Sequence, residues 1–142
     1  MRQKLTLANQ ISELERLSQW VEQVGRELDL SDRQVFHLNL ALEELVTNVM
    51  KYAYGPGGNG AICLEMEADP ERLTVRVIDS GPEFNPLALP QPSTDLPLEE
   101  RRVGGVGIYL TEKVIDQLSY RRRRELNELT LVMARGRRTD EP

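Results

Sequence analysis

In the segment EELVTNVMKY, Glu44, Asn48 and Lys51 stand at i, i+4 and i+7, a spacing that puts all three on one helix face. A carboxylate, an amide and an ammonium on one stripe suit metal–phosphate chemistry. The amide oxygen of Asn48 can ligate Mg²⁺, which prefers oxygen donors. The Lys51 ammonium can meet a phosphate oxygen, and the Glu44 carboxylate can accept a proton from an attacking hydroxyl. A solvated surface stripe has the same composition. A second segment, VIDSGPEF, puts Asp79 at the end of a predicted strand, two residues before Gly81. There a carboxylate can accept a hydrogen bond from an exocyclic base amine beside a turn that glycine permits, although Asp is also an ordinary turn residue. In the third, RRVGGVGIYL, Gly104, Gly105, Gly107 and Ile108 lead into a predicted helix. Glycines let backbone N–H groups approach phosphates, and a helix N-terminus favours anions; helix packing and loop flexibility are the plainer explanations.

These segments must be held by elements that the periodicity outlines. Residues 2–8 alternate weakly, with Leu5 and Leu7 on one face, as a short strand does. Asn9 is placed to cap a helix reaching about residue 28, with Ile11, Leu14, Leu17, Val21 and Val24 at helical spacing. Ser31 and Gln34 form a capping-box pattern for the next helix. That helix carries Val35, Leu38, Leu42, Leu45, Val46 and Val49 inward and ends near residue 54 at GPGGNG. Strands follow at about 60–68 and 72–79, joined by Asp69 and Pro70, with Ile62, Leu64, Met66, Leu73, Val75 and Val77 on one buried face. The stretch 81–105 holds Pro82, Pro86, Pro90, Pro92 and Pro97 and has little periodicity; a loop so long is usually functional or disordered. A helix is predicted from 107 to about 118, then strands near 119–124 and 128–134 with a turn at 125–127. The order β-α-α-β-β-loop-α-β-β describes an α+β fold, a two-layer α/β sandwich with a mixed, mostly antiparallel sheet and helices on one face. One domain over 1–136 is expected, with a frayed tail at 137–142.

Composition narrows the function classes. The chain has 142 residues and a net charge of −5, so its overall field does not favour nucleic acid. The arginine run at 121–124 is the exception; it reads as a solvated strand end or turn, with phosphate contact as the alternative. Cys63, the sole cysteine, excludes an intrachain disulfide and reads as a core residue rather than a nucleophile. His37 is the sole histidine and has no serine nucleophile motif near it, so Ser-His chemistry is rejected. No segment has signal-peptide character or membrane-spanning length, and a cytoplasmic protein is expected.

The three segments in this order resemble the GHKL ATP-binding pattern, over about residues 5–135: Glu-x-x-x-Asn on a helix, Asp-x-Gly about 30 residues on, then a long loop and GGxGI before a helix. Within that superfamily, ALEELVTN and GGVGIYLTEKVIDQLSY most resemble the anti-sigma-factor serine kinases. The resemblance implies the GHKL (Bergerat) ATP-binding fold, with ATP and Mg²⁺ as cofactors. It gives Asn48 as the metal ligand, Glu44 as the general base with Glu43 a lesser candidate, and Asp79 as the adenine reader. Gly81 would let the nucleotide approach, Gly104, Gly105, Gly107 and Ile108 would form the second glycine box, and Lys51 would meet phosphate. Residues 84–103 would be an ATP lid, ending in Arg101 and Arg102. The implied reaction is γ-phosphoryl transfer to a serine or threonine of a STAS-type anti-sigma-factor antagonist. A sequestered sigma factor is the second partner, a homodimer the implied assembly, and neither nucleic acid nor membrane is involved. A nucleotide-binding regulator that acts by sequestration alone is the alternative. A complete histidine kinase would need a phosphoacceptor hairpin, whereas His37 lies inside the ATP-binding helix.

Overall fold

Alternation along the strands decides which sheet face meets the helices. The computed structural model describes residues 1–55, 58–88 and 115–136. Its strands are β1 (Arg2–Ala8), β2 (Ala61–Ala68), β3 (Arg72–Asp79), β4 (Gln117–Arg123) and β5 (Leu126–Ala134). They form one sheet in the order β1-β2-β3-β5-β4, with every pairing antiparallel. The expected mixed sheet is therefore corrected among the described residues: the β2–β3 and β4–β5 connections are tight hairpins, and a parallel pair would need a crossover. The two-layer α+β architecture stands.

On one face, Leu7, Ile62, Leu64, Met66, Leu73, Val75, Val77, Leu129, Leu131 and Met133 are buried. They join a single core with two helices, α1 (Leu14–Glu27) and α2 (Asp32–Asn48). The opposite face carries ion pairs: Arg2–Glu67 at 3.0 Å, Lys4–Glu65 at 3.4 Å, Arg76–Glu65 at 3.1 Å and Arg121–Glu128 at 3.1 Å. Pairs that stay open to solvent, such as Arg2–Glu67, contribute about 0–1 kcal/mol each, so apolar burial on the first face holds the sandwich. Cys63 stands in register with Thr6 and Ile78, on the ion-pair side and only half-buried. The pleat that turns Ile62 and Leu64 inward turns Cys63 outward, which corrects its placement in the core.

Helix α1 is preceded by a 3-10 turn, Ile11–Glu13, and Asn9 does not cap it. The Asn9 amide donates instead to the carbonyls of Gly55 and Gly58, 3.1 and 2.8 Å away, while Glu13 Oε2 accepts from the Ala8 N–H at 2.9 Å. Ile11 is 60% exposed, and Trp20 takes a place in the core beside Leu17, Val21 and Val24. The capping box forms as the pattern indicates: the Gln34 N–H donates to Ser31 Oγ at 3.1 Å, and the Ser31 N–H donates to Gln34 Oε1 at 3.0 Å. The helix continues past Asn48 as a π-helical turn, Val49–Ala53, closed by the Tyr54 N–H on the Val49 carbonyl at 3.0 Å. Gly55 follows at φ +80°, a conformation that glycine permits.

The β4–β5 hairpin turns on Arg124 and Glu125, both at positive φ, so Asn127 belongs to β5 rather than to a turn. Likewise β4 begins at Gln117, so a helix cannot extend to residue 118. The remainder of that predicted helix, up to residue 114, lies outside the described residues. So do 89–103 of the expected lid and the expected tail at 137–142. Within the lid's first part, Pro86–Ala88 forms a 3-10 turn.

Candidate functional site

Two local devices bring the end of α2 over the ends of β2 and β3. The Tyr54 hydroxyl donates to the Ala61 carbonyl at 2.7 Å and accepts from the Ser80 N–H at 2.9 Å. Gly81 then packs on the π-helical turn: a Cβ there would lie 3.1 Å from Asp79 Oδ1 and 3.2 Å from the backbone carbonyl of Ala53. Backbone against backbone cannot give way as a flexible side chain can. Gly81→Ala is therefore expected to separate the turn from β3, costing about 1–3 kcal/mol in urea denaturation as overpacking does, with a parallel loss of nucleotide affinity by calorimetry.

At the end of α2 the Asn48 amide nitrogen donates twice to Glu44, to its carbonyl at 2.7 Å and to its Oε1 at 2.8 Å. Asn48 is 1% exposed, and its Oδ1 is buried with no hydrogen-bond partner among the described residues. A buried carbonyl oxygen without a donor costs desolvation free energy and is ready to accept from a ligand. Burial pushes the Glu44 carboxyl above the usual glutamate range, opposed by the Asn48 hydrogen bond and the nearby Lys51 charge and reinforced by Glu43. Lys51 itself is exposed on the π-helical turn.

At the sheet end, Asp79 is 3% exposed. Its Oδ1 accepts from the Gly81 N–H at 2.9 Å and from Asn127 Nδ2 at 2.9 Å. Burial raises its pKa, with Asn127, Gly81 and the Arg122 charge opposing. Ile62, Asp79, Asn127 and Arg122 form one cross-strand row through β2, β3, β5 and β4. Arg122 donates to the Gly81 carbonyl at 2.8 Å, and Tyr120 donates to Asn127 Oδ1 at 2.6 Å. The arginine run is thus divided: Arg121 pairs with Glu128 on the solvated face, Arg122 turns toward the site, and Arg124 makes the turn.

Glu44, Asn48 and Lys51 therefore sit at one end of α2, and Asp79 and Gly81 at the adjoining end of β3. Gly104, Gly105, Gly107 and Ile108, with Arg101 and Arg102, lie outside the described residues. Asn127 and Tyr120 were not selected from the sequence, and Arg122 stood out only as part of the arginine run. Their signal was the period-two pattern: counted back from Leu131 and Leu129, Asn127 falls on the core face of β5. A buried amide there calls for partners. Among the described residues no group of three or more His, Cys, Asp or Glu could hold a metal, and no helix is long and apolar enough to cross a membrane.

Comparison with known proteins agrees with this arrangement. The family model described as a histidine kinase-like ATPase domain matches residues 7–133. The serine/threonine-protein kinase BtrW of Bordetella bronchiseptica is 30% identical over 113 residues, covering 80% of each chain. The serine-protein kinase RsbW of Listeria innocua is 31% identical over 85 residues, 57% of this chain and 54% of that protein. Among solved structures, a Mycobacterium tuberculosis protein comprising RsbU and RsbW domains superposes with a TM-score of 0.68 at 15% identity. That match covers 97% of this chain but 34% of the other, and it shows the fold. With the family model spanning nearly all of the sheet and both helices, the chain belongs to the histidine kinase-like ATPase domain family, among the ATP-binding serine kinases of the BtrW and RsbW type.

Proposed function

We propose that this chain is a cytoplasmic kinase that transfers the γ-phosphoryl group of ATP to a serine or threonine hydroxyl of a STAS-type antagonist protein, and that it sequesters a sigma factor while the antagonist is phosphorylated. The observation that carries this reading is the Glu44–Asn48 pair. Because the Asn48 nitrogen is held by Glu44, its oxygen is turned away with no donor, as a hard-cation ligand must be. Mg²⁺ fits that atom: Asn48 Oδ1 would hold it, and the ion would neutralise charge on the ATP phosphates. Lys51 adds a cation on the same helix end, able to contact a phosphate oxygen. Glu44, made more basic by burial, is suited to accept the proton of the incoming hydroxyl. Asp79 supplies an acceptor for the adenine amine. The second glycine box, from Gly104 to Ile108, would face the phosphates, and the single domain would span 1–136. The family resemblance also implies a homodimer.

Incubation of the protein with ATP, Mg²⁺ and a purified STAS-domain antagonist from the same genome, followed by intact-mass detection of phosphate on the antagonist, tests this. Transfer is expected, and Asn48→Ala is expected to abolish both transfer and the Mg²⁺ dependence of ATP binding seen by calorimetry. ATP binding with no transfer to any such antagonist would instead assign a regulator that acts by sequestration alone.

A further inference from the structure

The most completely satisfied buried polar group at the site is Asn127, 1% exposed on the core face of β5. An amide in such a place could point either way, and its neighbours decide. Its nitrogen donates to Asp79 Oδ1 at 2.9 Å and to the Pro82 carbonyl at 2.9 Å. Its oxygen accepts from the Tyr120 hydroxyl at 2.6 Å, the Phe84 N–H at 3.2 Å and Arg122 Nη1 at 3.2 Å. A flipped amide would set its oxygen against a carboxylate and a carbonyl, and its nitrogen against two groups that can only donate, the Phe84 N–H and the Arg122 guanidinium. The orientation is therefore fixed from both sides. One consequence is that Asp79 Oδ1 is saturated by Gly81 and Asn127, while Oδ2 has no partner among the described residues. Another is that the first residues after β3, from Pro82 to Phe84, are fastened to the same amide.

We propose that Asn127 is the positioning residue of the base site, committing one oxygen of Asp79 to the protein so that the other faces the exocyclic amine of the nucleotide base. It acts through Asp79 and does not itself touch the base. Base selectivity is then a property of the Asp79–Asn127 pair, and Tyr120 and Arg122 set the amide that sets the carboxylate. The proposal rests on Asp79 being the adenine acceptor, and its test separates the two ideas.

The informative variant is Asn127→Asp, which has the same shape and keeps an acceptor for Tyr120, Phe84 and Arg122 but offers Asp79 a second carboxylate instead of a donor. Calorimetric affinities for ATP and for inosine triphosphate, which carries a carbonyl in place of the amine, would be measured from mildly acidic to mildly alkaline pH. The wild type is expected to prefer ATP by about 10–100-fold, the range of a hydrogen bond to a charged group. The variant is expected to lose most of that preference, and its ATP affinity should fall as pH rises and a proton shared between the two carboxylates is lost. The charged and titratable groups around the pair are Arg122 and Tyr120 from β4 and Glu83 from the following loop; all remain in the variant. Tyr120→Phe, which removes one donor and keeps the ring, provides a second reading should the first variant fold poorly. It should lower the ATP preference several-fold. An unchanged ATP-to-inosine ratio and pH profile in folded Asn127→Asp, or an unchanged ratio in Tyr120→Phe, would overturn the role of Asn127. If the wild type does not discriminate the two nucleotides, or Asp79→Asn leaves the ratio unaltered, the adenine role of Asp79 fails and this proposal with it.

Discussion

Glu44→Gln is expected to lower phosphoryl transfer to a protein hydroxyl by about 10²–10⁴-fold, the usual contribution of a positioned general base, and to leave ATP affinity near that of the wild type. The amide keeps an oxygen for the Asn48 nitrogen, so the orientation of Asn48 Oδ1 survives while the proton acceptor is lost. Single-turnover transfer and equilibrium ATP titration on the same protein separate these effects; a variant that transfers at the wild-type rate removes Glu44 from the chemistry. The pH profile gives a second check. Transfer needs the ionised carboxylate, so the acid limb should lie above the ordinary glutamate range, because burial raises this group.

The same burial makes a stability prediction of opposite benefit. Glu44 and Asp79 both have folded-state pKa values raised above their unfolded ones. Their contribution to stability is thus fully present below the ordinary carboxylate range and is lost as pH rises through the raised values. Above those raised values ionisation of either carboxyl is held at a cost to the folded state. Neutral amides at these positions should raise the melting temperature of the nucleotide-free protein, as expected where active-site groups are kept for function.

Much of this arrangement was legible because it follows from period and punctuation. The alternation in AICLEM and RLTVRV fixed both the strands and their buried face. Ser31 and Gln34 marked a helix start that formed as written, and the glycines after Tyr54 marked its end. Errors arose where a tertiary partner outcompeted a local rule. Asn9 has the chemistry of a cap, but the carbonyls of Gly55 and Gly58, far along the chain, claim its amide. The β4–β5 turn uses Arg124 and Glu125 at positive φ, where Asn or Gly would be expected, so no composition signal marked it and Asn127 was assigned to the turn rather than to the strand. That slip hid the polar network behind Asp79. The stripe Glu44–Asn48–Lys51 was visible by spacing, yet its main feature was not. The fourth-residue hydrogen bond that frees Asn48 Oδ1 depends on burial, and the π-helical turn beneath Lys51 has no sequence marker.

Asp79→Asn should reverse base preference rather than merely weaken binding. In the wild type, Oδ1 accepts from Gly81 and Asn127, both donors. An asparagine there keeps its oxygen on those two donors, since turning its nitrogen toward them would set donor against donor. Its nitrogen then occupies the place of Oδ2 and faces the base. Opposite the adenine amine this is a donor meeting a donor, and a buried unpaired pair of that kind forfeits the hydrogen bond and its desolvation. Opposite the carbonyl of inosine triphosphate the same nitrogen is matched. ATP affinity is expected to fall by about 10–100-fold while that for inosine triphosphate is held or rises. Parallel calorimetric titrations of the two nucleotides decide it, and equal losses for both, which leave the ratio unaltered, would remove Asp79 from the base readout. Because Glu44 and Asn48 on α2 and Lys51 on the π-helical turn are left unchanged by the substitution, transfer from saturating inosine triphosphate should persist. A variant that binds the inosine nucleotide well and transfers its phosphoryl group would separate base recognition at the end of β3 from phosphate chemistry at the end of α2.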